Sequence, residues 1–432
     1  MAEIITKENK MLGEKYYTFT HKTGLRVYVF PKKMTSSYAL FTTKYGSIDN
    51  RFKLEGEDKF VSVPDGIAHF LEHKMFECEN GEDAFELFAK TGASANAYTS
   101  NARTAYLFST TDNFYEALEY LLDFVTHPYF TEKTVQKEQG IIGQELKMYD
   151  DHPGARLEKG LLQALYKNNK VRIDVGGTIE SIAEITAEVL YKCYYTFYNL
   201  HNMVLAACGD IELDRVEQIC DKILKDAPKQ VIIRDYEGED EPKGVYKKRS
   251  ECRLAVSKPI LSIGIKDSDI SSCPSERAKK FYATLILNEM LYSRSSELYT
   301  TLYDKKLISH YLDSAFEHSE NYSFNVIATE SSDPEAVYAH FVEFINKTKA
   351  QGLDKEAFEL AKRTIYASYI KSFDSTEDIA ENIITNYLEG TDVFEIPDII
   401  SSIDYDYISK LFESFYKEEY YAMSVVRPIE KE

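Results

Sequence analysis

Between Pro64 and Phe76 the sequence reads Pro-Asp-Gly-Ile-Ala-His-Phe-Leu-Glu-His-Lys-Met-Phe. On a helix opened by Asp65 as N-cap, His69 and His73 are four residues apart and about 40° out of register, so two imidazoles can converge on one ion. Glu72 lies about 60° to the other side of His69, near that ion but angled away from ligating it. A carboxylate there can act as a general base on an attacking water. The order His-x-x-Glu-His is the inverted form of the commoner zinc-protease motif. Read as structure alone, it would be two satisfied surface histidines and a solvated Glu.

Two histidines leave a catalytic zinc one protein ligand short, and a carboxylate elsewhere is the usual third. Glu138 and Glu145 are seven residues apart on one predicted helix, on the same face, with Cα atoms about 10.5 Å apart. They cannot be equivalent ligands at that separation, so one should bind the ion and the other support a ligand from behind. Acidic residues at helical spacing are more often a wet face. The apolar neighbours Ile141, Ile142, Leu146 and Met148 instead predict a largely buried helix.

These side chains need elements to position them. The runs Leu25 to Phe30 and Tyr38 to Tyr45, closed by Pro31 and Gly46, read as strands, as do Ala95 to Ser100 and Thr104 to Ser109. An amphipathic helix is expected from Asn113 to Thr126, stopped by His127-Pro128, and a long one from Thr131, with Thr134 as a further cap, to about Tyr149. Residues 234–250 are highly charged and polar, which divides the chain into an N-terminal domain (1–233), a linker and a C-terminal domain (251–432). Tyr106 to Thr110 before Asp112 resembles Phe324 to Ala328 before Asp333. Setting Glu132 against Asp354 gives an offset of 222, close to half the chain. The expected class is therefore α+β: two homologous domains from an internal duplication, each an antiparallel-rich sheet packed by helices.

Composition narrows the functions. The 432 residues suit two domains, and Lys+Arg 51 against Asp+Glu 71 leaves a net charge of −20. Such a surface repels phosphate backbones and anionic lipid, so no nucleic acid or membrane partner is expected. No apolar run approaches the ~20 residues of a membrane helix, and the first residues hold no apolar signal core, so a cytoplasmic location is expected. The six cysteines (Cys78, Cys193, Cys208, Cys220, Cys252, Cys273) contain no C-x-x-C pair, which points to reduced thiols. There is no G-x-S-x-G nucleophile elbow around Ser295-Ser296 and no Gly-rich phosphate loop.

His69-Phe70-Leu71-Glu72-His73, the helix Glu138 to Tyr149 and the strand Gly92-Ala93-Ser94-Ala95-Asn96-Ala97-Tyr98-Thr99 together resemble the pitrilysin/insulinase family of zinc metallopeptidases, the inverzincins, in its half-size bacterial YmfH-like branch. The resemblance implies Zn2+ held by His69, His73 and Glu145, with Glu72 as general base and Glu138 as the supporting carboxylate. It also implies that Asn96 lies on an edge strand that takes the substrate peptide as an added strand. At the repeat offset Glu138 falls on Leu360 and Glu145 on Ala367, and no His-x-x-Glu-His occurs near Leu285 to Met290, so the second copy should hold no metal. The family's carbonyl-gripping Arg and Tyr, seven apart, have Tyr303 and roughly His310 in their places.

The implied function is a zinc-dependent endopeptidase acting on short or unfolded peptides. A metal-free paralogous subunit would complete it as a heterodimer, with a homodimer as the weaker arrangement. The alternative from another class is a non-catalytic scaffold or peptide-binding subunit on the same fold, which would have no need of His69, Glu72, His73 and Glu145 together.

Overall fold

The structure, a computed structural model, describes residues 3–77, 79, 84–236 and 241–430. Strands β1 (Ile5–Asn9), β2 (Glu14–Thr20), β3 (Arg26–Pro31) and β4 (Ser37–Thr43) are followed by the short β5 (Arg51–Leu54) and β6 (Val61–Ser62). Helices α1 (Ile67–Met75) and α2 (Ala84–Thr91) precede the hairpin β7 (Ser94–Thr99) and β8 (Thr104–Thr110). Then come α3 (Phe114–Thr126), α4 (Glu132–Asp150), α5 (Pro153–Leu165), α6 (Ile179–Ile182), α7 (Ala187–Phe197), β9 (Met203–Gly209), α8 (Leu213–Ile223) and β10 (Ile232–Arg234).

The second half repeats the pattern: β11 (Arg249–Leu254), β12 (Ile260–Lys266), α9 (Pro274–Tyr292), α10 (Glu297–Asp304), β13 (Asp313–His318), β14 (Ser323–Glu330), α11 (Pro334–Gln351), α12 (Lys355–Lys371), α13 (Thr376–Glu389), α14 (Ile396–Ser401), α15 (Tyr405–Phe415) and β15 (Tyr421–Pro428). One sheet runs β1-β2-β3-β9-β4-β8-β7 and the other β11-β15-β12-β14-β13, while β10-β5-β6 form a small third. The last five strands of the first order match the second one for one. In both, the first two of the five are parallel and the rest antiparallel. The expected class, α+β with a duplicated domain, is the architecture found.

Central strands are buried on both faces and so read as continuous apolar runs rather than alternations. All seven residues of β9, Met-Val-Leu-Ala-Ala-Cys-Gly, are buried. Ala39, Phe41, Leu205 and Ala207 face the main core with α1, α3 and α7. Residues of opposite parity, Leu40, Val204 and Ala206, are equally buried, and α13 packs on β4 and β9. Phe30 meets Phe373 and Phe394 on that side, with ring centroids 6.2 and 6.3 Å apart.

The chain forms two compact units, and their membership interleaves. One contains residues 1–146, 174–236 and 371–394; the other contains 147–173, 237–370 and 395–432. One passage falls at Tyr236/Glu237, inside the charged stretch 234–250, but a single cut there does not describe the division. Segment 147–173, with α5, belongs with the second sheet, and 371–394, with α13, belongs with the first. A helix's amphipathic stripe says that it covers an apolar face, not which face.

Part of the charged stretch is fixed. Glu241 accepts the backbone N–H groups of Lys167, Asn168 and Asn169 at 2.9, 2.6 and 2.9 Å, and Lys266 donates to it at 2.7 Å. Cys193, Cys208 and Cys220 are buried free thiols, Cys252 and Cys273 are free, and Cys78 lies outside the described residues. No helix among the described residues is long and apolar enough to cross a membrane.

Candidate metal centre

Helix α1 carries His69, Glu72 and His73, but Asp65 does not cap it. Gly66 takes the N-cap position at φ +89°, and Asp65 accepts from Asn50 Nδ2 at 2.9 Å instead. The reason is a backbone clasp. A Cβ on Gly66 would stand 2.3 Å from the Gly176 carbonyl oxygen, and one on Gly177, at φ +77°, 2.4 Å from that of Asp65. Only glycine fits two left-handed positions packed backbone to backbone. Ser181 donates to the same Asp65 carbonyl at 2.7 Å, so the loop after Asp174 sets where α1 begins.

Helix α4 presents the carboxylates. Thr131 caps it, its Oγ1 accepting the Thr134 N–H at 3.2 Å. The helix is not largely buried: Val135, Ile142 and Leu146 are, while Ile141 is 44% and Met148 60% exposed. At 100° per residue the buried three form one stripe and Ile141 and Met148 another about 120° away, with Glu138 and Glu145 between them. That intermediate position leaves the Glu138 and Glu145 side chains 14% and 24% exposed.

His69, His73 and Glu145 each offer a ligand atom, all within 4.8 Å of one another. His69 Nε2 is 3.8 Å and His73 Nε2 3.5 Å from the Glu145 carboxylate. Ligands of a tetrahedral zinc, each about 2.0–2.1 Å from the ion, stand about 3.3 Å apart, so the two imidazoles and one carboxylate fit such an ion in chemistry and spacing. His73 Nδ1 lies 3.0 Å from Glu138 Oε1. This contact fixes the ring and leaves Nε2 facing Glu145. His69 Nδ1 is buried with no hydrogen-bond partner among the described residues.

The two imidazoles sit in different electrostatic surroundings. Burial, with the neighbouring His73, pulls the His69 pKa down to about 4 and keeps that ring neutral, as ligation requires. Burial also lowers that of His73, but the Glu138 hydrogen bond and the nearby carboxylates outweigh it and raise the pKa. Burial raises that of Glu72, partly offset by the hydrogen bond from Thr99.

Two family profiles match the chain: Insulinase (Peptidase family M16) over residues 63–179 and the Peptidase M16 inactive domain over 184–365. YmfH of Bacillus subtilis, described as an uncharacterized zinc protease, is 39% identical over 412 residues, 94% of this chain and 95% of that protein. This chain belongs to peptidase family M16, the insulinase family. YmxG of Bacillus subtilis, also described as an uncharacterized zinc protease, is 24% identical over 378 residues, 84% of this chain and 88% of its own. A crystal structure of an M16-like peptidase from Alicyclobacillus acidocaldarius superposes with TM-score 0.91 at 31% identity, covering 99% of both chains. A Helicobacter pylori protease at 20% identity shares the fold, with TM-score 0.82, over 96% of this chain and 100% of that one.

Among the residues expected at an M16 site, the structure gathers His69, His73, Glu138 and Glu145, with Glu72 buried beside them on α1. Asn96 is not part of that cluster. It lies on β7, the last strand of the sheet, with its Oδ1 turned back to accept the Ala97 N–H at 2.9 Å. Leu360 of α12 is 59% exposed, and Tyr303, near the end of α10, is 52% exposed. Sequence reasoning missed Thr99, whose contact with Glu72 joins residues distant in the chain. It also missed the clasp, for which Gly176-Gly177 before the capping box of Thr178 and Ser181 was a usable signal.

Proposed function

We propose that this chain is a zinc-dependent endopeptidase of short or unfolded peptides, with the ion held by His69, His73 and Glu145. The observation that carries the reading is the convergence of two imidazoles and one carboxylate, backed by Glu138 on the far nitrogen of His73. Zn2+ bound there supplies polarisation of the scissile carbonyl and a lowered pKa for the attacking water. Glu72 takes the proton from that water and returns it to the leaving nitrogen. Glu138 holds His73 in the tautomer and orientation that present Nε2. The open edge of β7, with Asn96 on it, takes the peptide as an added strand.

The second repeat offers no such cluster among its described residues, and Tyr303 and His310 stand where the family's carbonyl-gripping pair is expected. The chain therefore works in the cytoplasm as one half of a heterodimer, with a metal-free paralogue supplying that pair. Elemental analysis of purified protein tests the reading: one zinc per chain is expected, removed by chelators and restored by added zinc. A metal-free protein that cannot be loaded would favour the peptide-binding scaffold instead.

A further inference from the structure

Strand β7 presents different residues on its two faces. Ala95 and Ala97, packed against the core, and Thr99 share one face, which meets α1. Asn96 and Tyr98 share the other, where Tyr98 Oη donates to Glu381 at 3.0 Å and Arg103 reaches the same carboxylate at 2.9 Å. On the first face Thr99 Oγ1 donates to Glu72 Oε2 at 2.5 Å. Thr99 is held in turn by its place in the ladder opposite Thr104. The Thr104 hydroxyl donates to the Tyr45 carbonyl at 2.9 Å and lies 3.4 Å from Thr99 Oγ1.

Glu72 is 8% exposed, so water does little to orient its carboxylate. A flexible side chain that must meet a water in one geometry gains rate when a neighbour fixes it. We propose that Thr99 is the positioning residue of Glu72: it occupies Oε2, so that Oε1 is the oxygen that receives the proton. The inference rests on the reading of Glu72 as general base. Its consequence is that the strand offered to the peptide also aims the base, and that Glu72 is already aligned before a peptide docks on β7.

Isosteric Thr99→Val removes the hydroxyl and keeps the shape. Peptide hydrolysis by the full chain should lose kcat about 10–100-fold with KM within about twofold, and Thr99→Ser should recover the rate to within about threefold of native. Zinc content should match the native protein in both variants. A second measurement needs no activity: in denaturant unfolding, Thr99→Val should lower the folded-to-unfolded ratio about tenfold in the native background and about twofold or less in Glu72→Ala. A native kcat in Thr99→Val overturns the proposal, as does a rate that Thr99→Ser does not recover or an additive unfolding cycle. Failure of the underlying reading looks different, because Glu72→Gln would then hydrolyse peptides as the native chain does.

Discussion

Single side chains in the cluster differ in what their loss should do. Glu72→Gln keeps the size and the Thr99 contact but cannot take a proton, so hydrolysis should vanish while zinc stays bound; a variant within tenfold of native would sink the assignment. Glu145→Ala should lower zinc content sharply, whereas Glu138→Ala should keep most of the zinc and lose about 10–100-fold in rate. Equal zinc loss from both would mean the ligand is wrongly chosen. Gly177→Ala puts a Cβ 2.4 Å from the Asp65 carbonyl at φ +77°, so calorimetry should show a loss of roughly 2 kcal/mol or more. The motif 69–73 was legible because its geometry is local to one helix. Thr99 was not, because nothing within β7 says which distant carboxylate its hydroxyl will meet.

Among the elements, α4 shows where pattern reading stops. Its apolar residues divide between two stripes, Ile141 and Met148 on one and Ile142 and Leu146 on the other, and only the packing reveals which stripe is covered. The charged stretch is a second case. Its composition marked a linker, yet Glu241 is bound by three amides and Lys266. Burial alone would raise the Glu241 pKa, but Lys266 and those amides outweigh it and hold it below the usual value of 4.5. A depressed carboxyl pKa stabilises the fold above the unfolded pKa, and the contribution is lost as pH falls through the folded one. Glu241→Gln should therefore be less stable than native at pH 7, with the difference shrinking as pH falls below about 4.5. Denaturant melts at several pH values would show this, and a gap constant down to pH 2 would refute it.

For the molecule as a whole, the sequence exposed the duplication but not the interleaving of the units. Residues 371–394 belong with the first sheet, where Phe373 and Phe394 meet Phe30. A fragment ending at Tyr236 would leave Leu40, Val204 and Ala206 bare, and it should be insoluble or molten, without native near-ultraviolet dichroism. Fusing residues 371–394 to it should restore cooperative unfolding, and a fragment that melts cooperatively unaided would contradict this. The full chain, in turn, should bind zinc yet cleave peptides slowly until the metal-free paralogue is added. A monomer by light scattering that turns over at about 1 s⁻¹ or faster would remove the need for a partner.

The interleaving also sets a timetable for synthesis. A ribosome releases His69, His73 and Glu145 early, but α13, which covers the far face of their sheet, emerges only after all of α5 to α12 has been made. Truncated products would carry the metal-binding side chains without the packing that holds them in register. Zinc loading should thus lag behind the synthesis of its ligands and wait for a helix that touches none of them.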